Sequence, residues 1–118
     1  MLKIKNNDRG SYDMIIRRGD SAYLDIKLND VKLSKNGCHI ELKKPYSIKE
    51  GDRLQLIIDS GPVIYCDANK IMQIVPNDTL NMEPDSYNYQ IRLLTGIDVF
   101  TVAEGVFIIE GEAEWKQQ

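Results

Sequence analysis

Histidine is nearly missing from this sequence. His39 is the only one, and the two cysteines, Cys38 and Cys66, lie far apart. A structural zinc site wants four ligands, usually with a close Cys-x-x-Cys pair, and that spacing is absent. Cys38 and His39 are adjacent, so on a strand they point to opposite faces and cannot form a nucleophile–base pair. No D-x-D-x-D-G loop is present for calcium. No glycine-rich phosphate loop is present either, since Gly105 and Gly111 stand alone in strand-like sequence. The aspartates (Asp13, Asp20, Asp25, Asp52, Asp59, Asp67, Asp78, Asp85 and Asp98) fall mostly at turns or strand ends, where backbone bonding explains them, and nothing selects a catalytic pair. The expectation is a protein that is not an enzyme, with no cofactor, no metal and no catalytic residues.

Other absences narrow the class. There is no apolar run near the roughly 20 residues that span a bilayer. Met1–Asp8 turns polar at once, with no apolar leader segment, which predicts a protein made and kept in the cytoplasm. In that reducing compartment Cys38 and Cys66 are expected as free thiols. There is no basic excess: net charge is -3 and the pI about 5.1, against nucleic-acid binding. No Pro/Gly/Ser-rich linker divides the 118 residues, so residues 1–118 read as one domain. Its polar ends, Met1–Tyr12 and Glu112–Gln118, read as its loosest parts.

What the chain does have is alternation. Tyr87, Tyr89, Ile91 and Leu93 alternate with Asn88, Gln90 and Arg92, the period-2 pattern of a strand with one buried face. Gly96 permits a turn, and Ile97–Ala103 and Val106–Ile109 follow as two further strands. Upstream, Met14–Arg17 is a short apolar strand. Leu24, Ile26 and Leu28 alternate with Asp25 and Lys27. Cys38, Ile40 and Leu42 alternate with His39, Glu41 and Lys43, up to Pro45. Leu54, Leu56 and Ile58 form one face of the next strand. Val63–Cys66, Lys70–Val75 and Thr79–Met82 complete the series. Eight to ten short strands with turns every 8–12 residues predict an all-β sandwich or barrel. The one helical rival is the short segment Asp67–Gln73.

A local echo stands out. Arg18-Gly19-Asp20 and Glu50-Gly51-Asp52 each precede an alternating strand. Glycine supplies φ > 0 and aspartate bonds nearby backbone N–H groups, so this reads as one strand-entry turn used twice. Arg18-Gly19-Asp20-Ser21 also matches an adhesion tetrapeptide, but a strand beginning directly after it favours the turn role. His39 reads as a surface histidine. Tyr87 and Tyr89 share a face with Ile91 and Leu93, which favours core packing over a sugar platform. Trp115, in the polar tail, suggests contact with another chain.

The order of these features resembles a family of small bacteriophage structural modules, the N-terminal domains of phage baseplate upper proteins and related tail or head fibre proteins. The matching residues are Ile16–Ser21 leading to Leu24-Asp25-Ile26, then Gly51–Leu56, Asn77–Leu80, Pro84–Ile91 and Thr101–Ile109. The pattern spans about residues 14–110. The resemblance implies an antiparallel β-sandwich, immunoglobulin-like in shape, with no enzyme activity and no cofactor. It implies a virion building block that docks to other phage structural proteins and self-associates as a homo-oligomer, with no nucleic-acid or membrane partner. The alternative is a carbohydrate-binding β-sandwich, disfavoured by the apolar face on which Tyr87 and Tyr89 fall.

Overall fold

A computed structural model of the protein describes residues 2–6, 12–27, 38–41 and 48–111. Among the described residues there are nine strands: β1 Lys3–Asn6, β2 Tyr12–Arg17, β3 Ala22–Lys27, β4 Cys38–Glu41, β5 Arg53–Ile58, β6 Val63–Asp67, β7 Met72–Ile74, β8 Asp85–Thr95 and β9 Asp98–Glu110. One five-residue helix, α1 Pro76–Leu80, sits between β7 and β8. The strands form a six-stranded sheet, β1-β2-β9-β8-β5-β6, and a three-stranded sheet, β4-β3-β7. The edge strands of the small sheet lie beside those of the large one, β4 next to β1 and β7 next to β6. One core fills the space between, with Met14 and Ile16, Leu24 and Ile26, Leu54, Leu56 and Ile58, Ile91 and Leu93, and Phe107 and Ile109 all buried. These are the alternating positions of their strands, so the hydrophobic pattern alone sets which face turns inward.

The sheets are mixed, which corrects the antiparallel expectation. β2 runs parallel to β9 and β3 parallel to β4. Parallel neighbours need a crossover rather than a tight turn, and side-chain alternation carries no information on strand direction. The remaining pairs are antiparallel.

The repeated Gly-Asp turn is realised twice with one geometry. In Arg17–Asp20 the Asp20 N–H donates to the Arg17 carbonyl, and Gly19, third in the turn, has φ +82°. In Lys49–Asp52 the Asp52 N–H donates to the Lys49 carbonyl, and Gly51 has φ +89°. A positive φ at that place is what a type II turn requires. The buried Asp52 carboxylate also accepts the Lys49 N–H at 2.8 Å.

Helix α1 corrects two expectations. Asp67–Gln73 is not helical; it holds the end of β6, a turn and the start of β7. The helix lies instead over part of the stretch read as the strand Thr79–Met82. Pro76 does not merely stop β7. It opens α1, where a missing N–H costs nothing. The Asp78 carboxylate accepts the Val75 N–H at 2.8 Å, half of a capping box. The first Gly-Asp turn then holds the helix: Gly19 N–H donates to the buried Thr79 Oγ1 at 2.8 Å and Arg18 Nε donates to the Leu80 carbonyl at 3.0 Å.

Three further expectations change. Asp25, read as facing water, is buried at 1% exposure. The segment Met1–Tyr12, read as a loose end, supplies β1 and the buried Leu2. Ile97–Ala103 and Val106–Ile109, read as two strands, belong to the single strand β9. The expectations for the side chains of Cys38, His39, Leu42 and Lys43, for Leu28 and Pro45, and for the tail with Trp115, lie outside the described residues.

The long pair β8–β9 is the spine of the molecule, whose largest extent is 50 Å. Gly105 on β9 lies opposite Tyr89 on β8. A Cβ at position 105 would sit 2.2 Å from the Tyr12 carbonyl oxygen and 3.0 Å from the Tyr89 ring. Only glycine therefore admits this approach of β2. Tyr89 fills the space above the glycine and donates its hydroxyl to the Tyr12 carbonyl, crossing β9 to tie β8 to β2. Burial, then the nearby Asp13 carboxylate, hold the Tyr89 hydroxyl well above the usual phenol range.

Tyr89→Phe should therefore lower unfolding stability by about 1–2 kcal/mol through loss of one bond to a buried carbonyl. Gly105→Ala should cost more, about 1–3 kcal/mol or above, because rigid backbone must move. Urea unfolding followed by circular dichroism measures both. A Gly105→Ala protein as stable as the parent would contradict the close approach of β2.

Candidate functional site

The distal end of the β8–β9 hairpin holds the most exposed apolar group among the described residues. Thr95 and Asp98 pair across it, leaving the two-residue loop Gly96-Ile97. Gly96 has φ +60° and Ile97 is not in the positive-φ region. Glycine first with positive φ is the pattern of a type II′ turn, whose twist matches that of the flanking strands. Ile97 is 99% exposed, Val99 54% and Phe100 44%. A hairpin tip is normally a place for polar residues, and here it carries a fully exposed isoleucine.

A bulge sets which side chains show there. Ile91 pairs with Ala103 but Arg92 pairs with Thr101, so Val102 is the extra residue on β9. Beyond it the faces swap. Phe100 comes opposite the buried Leu93, and Val99 comes opposite Leu94 on the outer face.

That outer face carries a second group. Register places Tyr65, Gln55, Arg92 and Thr101 in one row across β6, β5, β8 and β9, with Asp67, Arg53, Leu94 and Val99 in the next. Gln55 Nε2 donates to the Tyr65 hydroxyl at 2.9 Å, Arg53 sits 4.9 Å over the Tyr65 ring, and Arg92 Nε donates to Gln90 Oε1 at 3.2 Å. These contacts tie Gln55, Tyr65, Arg53, Arg92 and Gln90 to one another across the face. The guanidinium also covers one face of the ring that a sugar would need.

The residues weighed in the sequence go to other work. The Arg18-Gly19-Asp20 turn is packed on α1 as described. Asp85 accepts the Ser86 N–H at 2.7 Å, and Asp13 accepts the Val106 N–H at 3.3 Å, both backbone roles. Asp67 pairs with Lys70 at 3.6 Å on the surface. Tyr89 and Phe107 are core residues, and the half-buried Tyr87 donates its hydroxyl to the Glu83 carbonyl at 2.6 Å. The exposed Tyr23 lies on β3 of the small sheet and the exposed Tyr65 on β6 of the large one. Among the described residues no three His, Cys, Asp or Glu side chains gather as metal ligands. No described helix is long and apolar enough to cross a membrane.

Sequence reasoning passed over Ile97, Val99 and Phe100 because they sit inside a run that reads as an ordinary strand. The available signal was the spacing Thr95-Gly96-Ile97-Asp98, which forces a two-residue turn and strands an isoleucine at its tip. Chemically the tip offers exposed apolar area beside the Asp98 carboxylate and the Thr95 and Thr101 hydroxyls.

Cys66 is a free, half-buried thiol. Burial, then the Asp67 carboxylate, push it up to about 11, against the opposing pull of Arg53. It should therefore stay protonated at neutral pH and react with iodoacetamide clearly more slowly than a free thiol near its ordinary value. Alkylation at Cys66, followed by peptide mass spectrometry from pH 7 to pH 9, checks this; a rate equal to that of glutathione would contradict it. No known protein family, curated protein or solved structure gives a significant match to this chain.

Proposed function

We propose that this chain is a non-enzymatic structural module of a bacteriophage or prophage virion, a baseplate, tail or head-fibre component that works by docking to other virion proteins. In this reading the two sheets form an immunoglobulin-like β-sandwich that serves as a rigid mount, and the β8–β9 hairpin is what it presents. The observation that carries the reading is the fully exposed Ile97 at the end of a long, firmly anchored hairpin, next to the exposed Val99 and Phe100. Apolar residues held out on a rigid arm gain free energy only when another surface covers them. The order of turns and strands over residues 14–110, similar to that of the baseplate and fibre modules, supports the virion as the setting.

Carbohydrate binding has less support. Sugar platforms use open aromatic faces, and the Tyr65 ring already carries Arg53.

Induction of phage particles from the strain that carries the gene, density banding and peptide mass spectrometry test the proposal. The chain should be found in the particles at a fixed ratio to the major tail or head proteins. Its absence from intact particles would refute the virion reading, and binding on a glycan array would move the function to the carbohydrate class.

A further inference from the structure

The outer face of the large sheet holds two arginines without a carboxylate. Arg53 on β5 and Arg92 on β8 stand in neighbouring rows, Arg53 opposite Leu94 and Arg92 opposite Gln55. They are diagonal cross-strand neighbours, about 7–8 Å apart at the backbone. Neither forms an ion pair among the described residues. The one acid in their two rows, Asp67, is held by Lys70 at 3.6 Å. Glu104, in the next row opposite Gln90, forms no ion pair with Arg92 either. Both guanidiniums are already oriented. Arg53 lies 4.9 Å over the Tyr65 ring, a stack that sets its plane. Arg92 gives its Nε to Gln90 Oε1 at 3.2 Å, which leaves the end-on fork of its two Nη groups for another acceptor. Beside them the Tyr65 hydroxyl accepts from Gln55 and still has a proton to donate. The face is rich in donors and poor in acceptors, in a chain whose net charge is -3.

We infer that Arg53 and Arg92 together receive a carboxylate, the side chain of an aspartate or glutamate on the protein to which this chain docks. A carboxylate is acceptor-only and meets a guanidinium fork in two parallel bonds. The surroundings select a protein as its source. Leu94 and Val99 complete the Arg53 row, Val99 at 54% exposure, and the hairpin runs on to the fully exposed Ile97. The complement of that surface is one acid set among apolar side chains. An extended polyanion such as nucleic acid calls for a broadly basic surface, against the net negative charge of this chain. An acidic sugar calls for an open aromatic face, and the Tyr65 ring carries Arg53. Because both cations are held before the partner arrives, binding costs little side-chain freedom. At an exposed site salt screens the pair, so the contact selects the partner and its orientation more than it adds affinity.

This deepens the docking reading and rests on it for its biological sense, while the chemistry of the site can be read on the isolated chain. The full chain is panned against a random peptide library, and the best binder is synthesised as the probe. Its sequence should hold an aspartate or glutamate beside apolar residues. Arg53→Gln and Arg92→Gln should each weaken its binding about tenfold. Arg92→Lys should keep only part of the affinity, because lysine brings the charge without the fork. The double variant Arg53→Glu with Arg92→Glu should lose the probe and bind it again once its acid is changed to lysine. An unfolded variant could not show that rescue. Selected peptides without an acid, binding indifferent to both arginines, failure of the charge exchange, or no peptide binder at all would each overturn the inference. So would tighter binding to an oligodeoxynucleotide or to sialyllactose than to any peptide. Phage particles that take up the Arg53→Gln, Arg92→Gln chain as fully as the parent would overturn the inference and leave the docking reading standing. An acid-dependent peptide bound by a chain absent from particles would do the reverse.

Discussion

The fold depends on one crossing, in which the Tyr89 ring lies over Gly105 and its hydroxyl bonds the Tyr12 carbonyl. β2 and β9 are parallel and far apart in sequence, so no short turn fixes their register. A side chain from the third strand does that work. Where a Cβ would keep β2 away, the glycine lets it in, and the tyrosine fills the gap that the glycine leaves. Loss-of-contact reasoning usually treats such a glycine as weak strand. Here it is the point through which three strands are joined, and the N-terminal hairpin owes its place to it.

Much of the core was legible. Wherever a strand has one dry face, period-2 alternation names its buried residues, and Leu54, Leu56, Ile58, Tyr89, Ile91 and Leu93 all lie inside. The paired Gly-Asp turns were legible too, because only glycine takes the φ values of +82° and +89° cheaply. Strand direction was not legible. A parallel strand and an antiparallel one bury the same alternate positions, so Met14 and Ile16 give no hint that β2 follows β9. Asp25 escaped because alternation assigns a whole face at once, and here that face is exposed at Tyr23 but buried two residues on at Asp25. Thr79–Met82 escaped because a five-residue helix is too short for any 3.6-residue period to show.

The exposed apolar tip was hidden for a related reason. The bulge at Val102 breaks the alternation of β9, so its two halves read as separate strands with unrelated faces. The hydrogen bonds of β8 show them to be one. The continuity matters to the proposed role: the tip residues lie at the end of an 11-residue strand paired with a 13-residue strand. A contact made at Ile97 is therefore held rigidly relative to Tyr89 and the core.

The bulge also has a meaning for how the sequence can vary. By adding one residue it acts as a parity inverter: everything between Val102 and the turn is assigned to its face by an odd count. Deleting Val102 would remove the bulge and leave a regular ladder with the same partners, Phe100 opposite Leu93 and Val99 opposite Leu94, whereas one further inserted residue would have to widen the bulge or exchange those two environments. The arm can grow or shrink by whole residue pairs, so its reach is adjustable while what it displays stays fixed.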